Sequence, residues 1–248
     1  ATGFLENRPL KLRNFISDSV QLAGLRIINA AAKSGGYHVN RGIPYGSEPR
    51  NQLDHYVLHT GDAEDKVKRP LVLFIYGGNW QSGHRGNYRF VADTLCSLGY
   101  DVVVPDYRLY PNVRFSGILA DVRMAITWVM NSEEIDSRRP IYVMGHSAGA
   151  QLGSLLCLNP ALLSDLPGAQ KRIAAFIGLS GPYDFYPYTE ESHWDLFAPQ
   201  HEYPLSQAVN FVRPDAPLLY LLHGKEDNRV RRGHSKSLME KQLELKNN

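Results

Sequence analysis

Apolar runs alternate along this chain with segments of helical periodicity, from residue 53 to residue 245. One alternating run and several continuously apolar runs, rich in β-formers, predict strands. The predicted strands are Leu53–His59, Pro70–Tyr76, Asp101–Pro105, Arg139–Met144, Ile173–Leu179 and Pro217–Leu222. The predicted helices are Tyr88–Leu98, Ser116–Met130, Ala150–Leu158 and Ser235–Leu245. Strands that alternate with helices indicate an α/β fold, a three-layer sandwich with a mostly parallel sheet.

The length of the chain predicts one domain. A chain of 248 residues can bury one large core, so we assign residues 1–248 to a single domain with a helical N-terminal extension over 1–36. Within that extension, residues 15–32 have the pattern of an amphipathic helix. Residues 184–213 lack periodicity and are rich in aromatic residues. A loop of that length is usually functional, so we predict a lid-like insertion, with an ordinary surface excursion as the alternative.

Charge and cysteine content exclude several classes of protein. A formal net charge of +2 is too small to indicate a nucleic-acid partner, and no apolar run is long enough for a membrane span. Cys96 and Cys157 fall in predicted helices, which favours two buried free thiols over one disulfide. No cysteine or histidine spacing is typical of zinc, so we expect no metal and no cofactor. The chain begins with Ala1, which leaves the compartment open, cytoplasmic or exported, and the oligomeric state is also open.

The pentapeptide Gly145-His146-Ser147-Ala148-Gly149 lies between a predicted strand and a predicted helix. A G-x-S-x-G pattern in this context is typical of a nucleophile elbow. The tight turn requires neighbours that are nearly bare of side chain, which Gly145, Ala148 and Gly149 supply. The serine hydroxyl is then exposed above the sheet, and the free amides of the next helix face any oxyanion that forms. We therefore predict Ser147 as a nucleophile, with a chance occurrence of the pattern as the alternative.

Two other segments that follow strands resemble those of a known family. Tyr76-Gly77-Gly78-Asn79-Trp80 resembles the His-Gly-Gly-Gly oxyanion loop of lipases and esterases related to hormone-sensitive lipase. The resemblance implies an oxyanion hole formed by the backbone amides of Gly78, Asn79 and Ala148. Tyr76 stands where the family usually has His, and Asn79 where a third Gly is common, but neither change removes an amide. The segment from His223 to Val230 resembles the family's strand-end acid loop, which implies Asp227 as the triad acid.

The resemblance runs from about Tyr37 to the end of the chain. It points to the bacterial carboxylesterase and feruloyl-esterase-like group of the α/β-hydrolase superfamily. The supporting motifs are Tyr45-Gly46, Leu53–Tyr56, Trp80–Gly83, Asp106–Pro111 and Leu179–Asp184. The resemblance implies a serine esterase that cleaves small carboxylic esters through an acyl-enzyme on Ser147. Trp80 and Tyr107 are the candidate pocket residues. An arylformamidase-like amidase is the enzymatic alternative.

The base of the predicted triad stays open at this stage. By resemblance, the acid loop is followed by a helix, a last strand, a loop with the histidine and a closing helix, but only 21 residues follow Asp227 (248 − 227). We expect the last strand, its histidine and the closing helix to lie beyond Asn248. His234 is the less favoured candidate, and a non-catalytic α/β-hydrolase-fold binding protein is a further reading. If the protein ends at Asn248, we expect weak activity and an exposed sheet edge prone to pairing with another chain. Of the remaining histidines, His146 and His223 are assigned structural roles, and His193 and His201 are weak candidates.

Overall fold

The computed structural model describes residues 24, 28–29, 35–59 and 63–247 of the chain. Most of the predicted N-terminal extension, with the amphipathic helix over 15–32, lies outside the described residues. In chain order, the described strands are β1 (Tyr37–Pro44), β2 (Gln52–Leu58), β3 (Leu71–Ile75), β4 (Asp101–Pro105), β5 (Ile141–His146), β6 (Ile173–Leu179) and β7 (Leu218–Leu222). The helices are α1 (Ala63–Lys68), α2 (Arg89–Ser97), α3 (Phe115–Asn131), α4 (Ala148–Leu158), α5 (Ala169–Arg172), α6 (Glu191–Leu196) and α7 (Gly233–Asn247).

The described strands form one sheet in the order β1-β2-β4-β3-β5-β6-β7. The strands from β4 through β3, β5 and β6 to β7 are parallel, whereas β2 pairs antiparallel with both β1 and β4. The predicted α/β-hydrolase fold with a mostly parallel sheet is confirmed. Strand β1 was not predicted, because most of its side chains are half-buried or exposed and give no apolar run. Helix α1 was also not predicted from the sequence.

The centre of the sheet is covered on both faces. Every residue of β3 and β4 is buried, as their continuously apolar sequences predicted. Helix α4 is also buried along its whole length from Ala148 to Leu158. Its small residues allow this close packing, since a Cβ added to Gly153 would lie 3.1 Å from side-chain atoms of both Phe176 and Val143. The predicted nucleophile therefore lies at the start of the most enclosed helix.

Helix α2 ends close to a glycine, and the two cysteines have the state that the sequence favoured. Gly99 follows α2 with a φ of 93°, in the left-handed region that favours glycine, and its amide donates to the Cys96 carbonyl at 2.9 Å. Cys96 and Cys157 are free and buried. Burial raises the pKa of the Cys96 thiol to about 12 and raises that of Cys157 further. The interpretation of two buried free thiols is confirmed.

Strand β7 forms one edge of the described sheet. Alternate side chains of this strand, Leu218, Tyr220 and Leu222, are more than half exposed, while Leu219 and Leu221 pack against the core. On helix α7, Met239 and Leu243 are also exposed. The sequence analysis expected an exposed edge only if the protein ends at Asn248, and that expectation, like the pairing of the edge with another chain, stays a prediction. Within the described residues, no helix has the length and apolar character needed to cross a membrane.

Candidate active site

The turn at Ser147 has the geometry of a nucleophile elbow. Strand β5 ends at His146, helix α4 begins at Ala148, and Ser147 between them has a φ of 52° and a ψ of −121°. A non-glycine residue in this region is strained, and such strain persists only where the surrounding structure holds it. The Ser147 amide donates to the Leu179 carbonyl at 2.9 Å, which ties the turn to the end of β6. The serine is thus held at the carboxyl edge of the sheet.

The glycines of the elbow are required by close backbone contacts. A Cβ on Gly145 would lie 2.6 Å from the carbonyl carbon of Gly149, and a Cβ on Gly149 would lie 2.6 Å from the carbonyl carbon of Ile75. Atoms do not approach so closely without displacement of the backbone. The first turn of α4 therefore rests directly on the end of β3, from which the predicted oxyanion loop begins.

We expect Gly149→Ala to lower the free energy of unfolding by about 3 kcal/mol or more, because the added methyl group meets backbone rather than a movable side chain. Urea denaturation followed by circular dichroism measures the loss. Gly233→Ala is the matched control, since a Cβ there meets nothing within 4 Å. Equal stability of the Gly149→Ala protein and the wild type would contradict the packing described at the elbow.

The loop after β3 lies directly against Ser147. A Cβ on Gly77 would lie 2.9 Å from the Cβ of Ser147 and 2.7 Å from the His146 carbonyl oxygen. Gly78 has a φ of 142°, and its carbonyl accepts the amides of Gln81 and Ser82 at 3.0 Å each. The next two residues of the loop, Asn79 and Trp80, also have positive φ values, 52° and 58°. The structure thus brings together the two segments that the sequence proposed for the nucleophile and the oxyanion hole.

A buried polar network supports this loop from below. The Tyr76 hydroxyl donates to Asp106 Oδ1 at 2.7 Å, and Arg50 donates to that hydroxyl at 3.0 Å and to the Gly83 carbonyl at 2.8 Å. Burial raises the pKa of Tyr76 well above its ordinary value, so its hydroxyl remains a donor. Tyr76 and Asp106 therefore anchor the start of the loop to the end of β4, and Arg50 anchors the loop at Gly83.

Tyr107 and Trp80 are both more enclosed than the sequence suggested. Tyr107 is wholly buried, and its hydroxyl donates to the Tyr76 carbonyl at 2.8 Å. The predicted pocket role does not fit this burial, because Tyr107 packs beneath the loop and supports it. Trp80 is 2% exposed, and its ring lies 5.9 Å from that of Phe185 and 5.1 Å from that of Phe197. It lies under the 184–213 segment.

The 184–213 segment is folded onto the oxyanion loop. It contains α6 and two 3₁₀ helices, Gln200–Ser206 and Ala208–Phe211, so it is more regular than its sequence pattern indicated. Its aromatic rings pack mainly on one another, with centroid distances of 4.9–6.2 Å among Phe185, Tyr186, Tyr188, Trp194, Phe197 and Tyr203. Two of these rings, Tyr186 and Trp194, are 51% and 40% exposed. The segment therefore has a packed inner side against Trp80 and an aromatic outer side.

The candidate acid, Asp227, follows β7 and is held by its own loop. Its Oδ1 accepts the amides of Arg229 at 3.0 Å and Val230 at 2.9 Å. Burial raises the pKa of Asp227, but the Val230 amide, the Ser180 hydroxyl and the Arg229 amide outweigh it, so the pKa lies below its ordinary value. The side chain is an ionised carboxylate at neutral pH. Its negative charge also acts to raise the pKa of His146, the neighbour of Ser147, against the effect of burial.

His223 is a structural residue of the acid loop. Its Nε2 donates to the Val230 carbonyl at 2.7 Å, which leaves Nδ1 to accept the Ser235 hydroxyl at 2.8 Å. The nearest approach of its ring to the acid is 3.8 Å, between Nε2 and Asp227 Oδ2. Both ring nitrogens are therefore occupied, in agreement with the structural role predicted for this histidine.

His234 contacts the 184–213 segment. Its Nδ1 donates to the Asp184 carbonyl at 2.5 Å, and burial lowers the pKa of the ring. Among the histidines of the described residues, none forms a hydrogen bond with the hydroxyl of Ser147.

Two other histidines near the site are His193 and His146. His193 belongs to α6, where its Nε2 lies 3.4 Å from Asn79 Oδ1. Burial lowers the pKa of His146 despite the Asp227 charge. No group of three potential metal-ligating side chains occurs in the part of the chain that the structure describes.

One polar residue at this site was missed by the sequence reading. Gln151 lies in the first turn of α4, is fully buried, and bonds to both the oxyanion loop and the 184–213 segment. The available signal was a lone amide side chain in the otherwise small and apolar sequence of α4. That signal indicates a buried hydrogen-bond partner without identifying it.

Residues 58–242 match the BD-FAE family model. The matched range contains the elbow, the oxyanion loop and the acid loop. The chain belongs to the BD-FAE family. This confirms the predicted kinship with esterases related to hormone-sensitive lipase.

Among curated relatives of this BD-FAE member is a probable isoprenylcysteine α-carbonyl methylesterase of Arabidopsis thaliana, 32% identical over 161 residues (62% of this chain and 37% of the relative). Another is the probable carboxylic ester hydrolase LipM of Mycobacterium tuberculosis, 29% identical over 208 residues (76% and 48%). The chain thus spans less than half the length of these relatives. Among solved structures, esterase B of Lactobacillus rhamnosis has a TM-score of 0.75 and 18% identity, over 98% of this chain and 82% of that one. This likeness shows the fold.

Proposed function

We propose that this BD-FAE member is a serine hydrolase that cleaves small carboxylic esters through an acyl-enzyme on Ser147. The observation that carries the proposal is the contact between Ser147 and the Gly77–Trp80 loop at the carboxyl edge of the sheet, with the Gly77 backbone against the serine Cβ. The names of the curated relatives, a methylesterase and a carboxylic ester hydrolase, support the same reaction class.

In the proposed reaction, the Ser147 hydroxyl oxygen attacks the acyl carbon while a histidine takes its proton. The backbone amides of Gly78, Asn79 and Ala148 donate to the oxyanion, and each such donor contributes about 3 kcal/mol in the transition state. The tetrahedral intermediate collapses, the bond to the alcohol oxygen breaks, and the histidine returns the proton to the alcohol. Water then repeats the attack on the acyl-enzyme and releases the carboxylic acid. The ionised Asp227 carboxylate orients the histidine and stabilises its charged form.

The geometry argues against His234 as the histidine that takes the serine proton. A triad histidine presents Nδ1–H to the acid and Nε2 to the nucleophile. His234 instead donates Nδ1–H to the Asp184 carbonyl, so this proton is not available to Asp227. We therefore propose that the base is a histidine other than His234, and we assign His234 to the attachment of the 184–213 segment to α7.

We expect His234→Gln to lower the turnover of an ester substrate by less than about tenfold, because a glutamine amide can replace the donor to Asp184. Steady-state kinetics on p-nitrophenyl acetate measures the change in turnover in the full-length protein. His201→Gln is the control, since its ring is exposed and lies in the 184–213 segment that His234 contacts. A loss of a thousandfold or more in His234→Gln alone would make His234 the base.

Parallel assays on an ester and an amide test the reaction class. We expect faster turnover of p-nitrophenyl acetate than of N-formylkynurenine, and stoichiometric labelling by a fluorophosphonate. Faster turnover of the formamide would replace the esterase with the arylformamidase-like amidase. The absence of both turnover and labelling would support the non-catalytic binding protein. The aromatic cluster above Trp80 favours short acyl or aryl groups, and a series of p-nitrophenyl esters of increasing acyl length tests that preference.

A further inference from the structure

Gln151 joins three parts of the site through its side-chain amide. It is fully buried and lies one helical turn after Ser147 on α4. The Trp80 ring nitrogen donates to Gln151 Oε1 at 3.2 Å, and Gln151 Nε2 donates to the Ser206 carbonyl at 2.7 Å. Since Trp80 can only donate and a carbonyl can only accept, the orientation of the amide is determined by its partners.

The first partner, Trp80, belongs to a strained part of the oxyanion loop. Trp80 and its neighbour Asn79 both have positive φ values without being glycine. Such residues keep their conformation only when contacts around them hold it. The Trp80–Gln151 bond is one such contact, and it connects the loop to the helix that follows the proposed nucleophile. A second contact is the 3.4 Å approach of His193 Nε2 to Asn79 Oδ1.

The second partner, Ser206, leads into the 184–213 segment through further hydrogen bonds. The Ser206 hydroxyl accepts Gln207 Nε2 at 2.6 Å and lies 2.9 Å from the Tyr188 hydroxyl. Gln207 Oε1 in turn accepts the amides of Phe185 at 2.7 Å and Tyr186 at 3.1 Å. Ser206 and Gln207 are both buried. The chain of bonds therefore runs without interruption from the oxyanion loop, through Gln151, to the start of the 184–213 segment.

We propose that Gln151 is a positioning residue that couples the conformation of the oxyanion loop to the closed state of the 184–213 segment. The proposal rests on the esterase function proposed above, because it assigns Gln151 a role in placing the Asn79 amide. When the 184–213 segment is packed against α4, the Gln151 side-chain amide is bonded to the Ser206 carbonyl and to the Trp80 ring nitrogen. The bond to Trp80 then restrains the backbone conformation of the oxyanion loop. When the 184–213 segment moves away, the Gln151 side chain loses its bond to Ser206, and the oxyanion loop is less restrained.

The variant Gln151→Met tests this coupling, because methionine has a similar length but cannot replace either hydrogen bond. We expect kcat for p-nitrophenyl acetate to fall about tenfold or more with a KM change of less than about threefold. We also expect the amides of Phe185 and Tyr186 to exchange faster with deuterium. Ser154→Ala is the matched control on the same helix. Ser154 is fully buried, and its hydroxyl donates to the Gln151 backbone carbonyl at 2.7 Å.

The variant Gln151→Glu gives a pH-dependent test that does not rely on the stability of the methionine variant. A protonated carboxyl can accept from Trp80 and donate to Ser206, whereas an ionised one faces the Ser206 carbonyl with an acceptor. We therefore expect near wild-type exchange protection of the 184–213 segment at low pH, and a loss of protection as the pH rises through the carboxyl pKa. Wild-type protection factors measured over the same pH range are the reference.

The outcomes separate this inference from the proposed function. A Gln151→Met protein with kcat within twofold of the wild type and unchanged exchange would overturn the coupling. An equal loss of kcat in Ser154→Ala would also overturn the coupling, because the loss would then result from altered packing of α4. If the wild type hydrolyses no ester, the proposed function fails, while the exchange measurements on both Gln151 variants still decide the coupling.

Discussion

Replacement of Ser147 with alanine is expected to lower ester turnover by a factor on the order of 10⁴ or more and to abolish fluorophosphonate labelling. The hydroxyl is the atom that would form the acyl-enzyme, and the backbone of the elbow does not depend on it. Its φ of 52° is held by the close packing of Gly145, Gly149 and Ile75, so an alanine at 147 is expected to keep the turn. The residual rate then comes from the oxyanion hole and substrate binding alone.

Mass spectrometry after fluorophosphonate treatment, together with kinetics on p-nitrophenyl acetate, measures both effects. Ser164→Ala is a suitable control, because its hydroxyl lies on the surface and donates to the nearby Ala161 carbonyl at 3.0 Å. Labelling of the Ser147→Ala protein at wild-type stoichiometry would place the nucleophile elsewhere. Labelling of the wild type that disappears in Ser147→Ala would exclude a non-catalytic binding protein.

Replacement of Asp106 with alanine is expected to lower the free energy of unfolding by about 3 kcal/mol or more. The Asp106 carboxylate is 2% exposed and accepts the guanidinium and backbone amide of Arg85 and the hydroxyl of Tyr76. Among the described residues, its removal leaves the Arg85 guanidinium bonded to Asp54 and Gln52 alone, and it leaves the buried Tyr76 hydroxyl without its acceptor. A buried ion pair that loses one partner costs far more than an exposed one.

Urea denaturation with a shared m-value analysis measures this difference. Asp165→Ala is the matched control, since Asp165 pairs with Arg123 at the surface and its loss is expected to change stability far less. Because Tyr76 begins the oxyanion loop, the folded fraction of Asp106→Ala is also expected to have a lower kcat than the wild type. A stability loss no larger than that of Asp165→Ala would contradict the role assigned to this network.

Local sequence patterns predicted the parts of the fold that depend on near neighbours. Strands β3 and β4 are apolar on both faces, and Gly145, Ala148 and Gly149 leave room for a tight turn, so these elements could be read without the tertiary structure. Strand β1 could not, because its alternation is masked by polar and half-buried positions. Its place in the sheet comes from pairing with β2.

The candidate site likewise has features that the local sequence predicted and features that depend on tertiary contacts. By itself, the sequence determined the elbow at Ser147 and the glycine-rich loop after β3, because each is a contiguous motif whose residues must be small. Only the tertiary structure decided that Tyr107 supports the loop from beneath, and that Gln151 bonds to Trp80 and Ser206. Those two partners lie 71 and 55 residues away from Gln151 along the chain. A buried side-chain amide in a helix requires hydrogen-bond partners, but the identity of those partners depends on how distant segments pack.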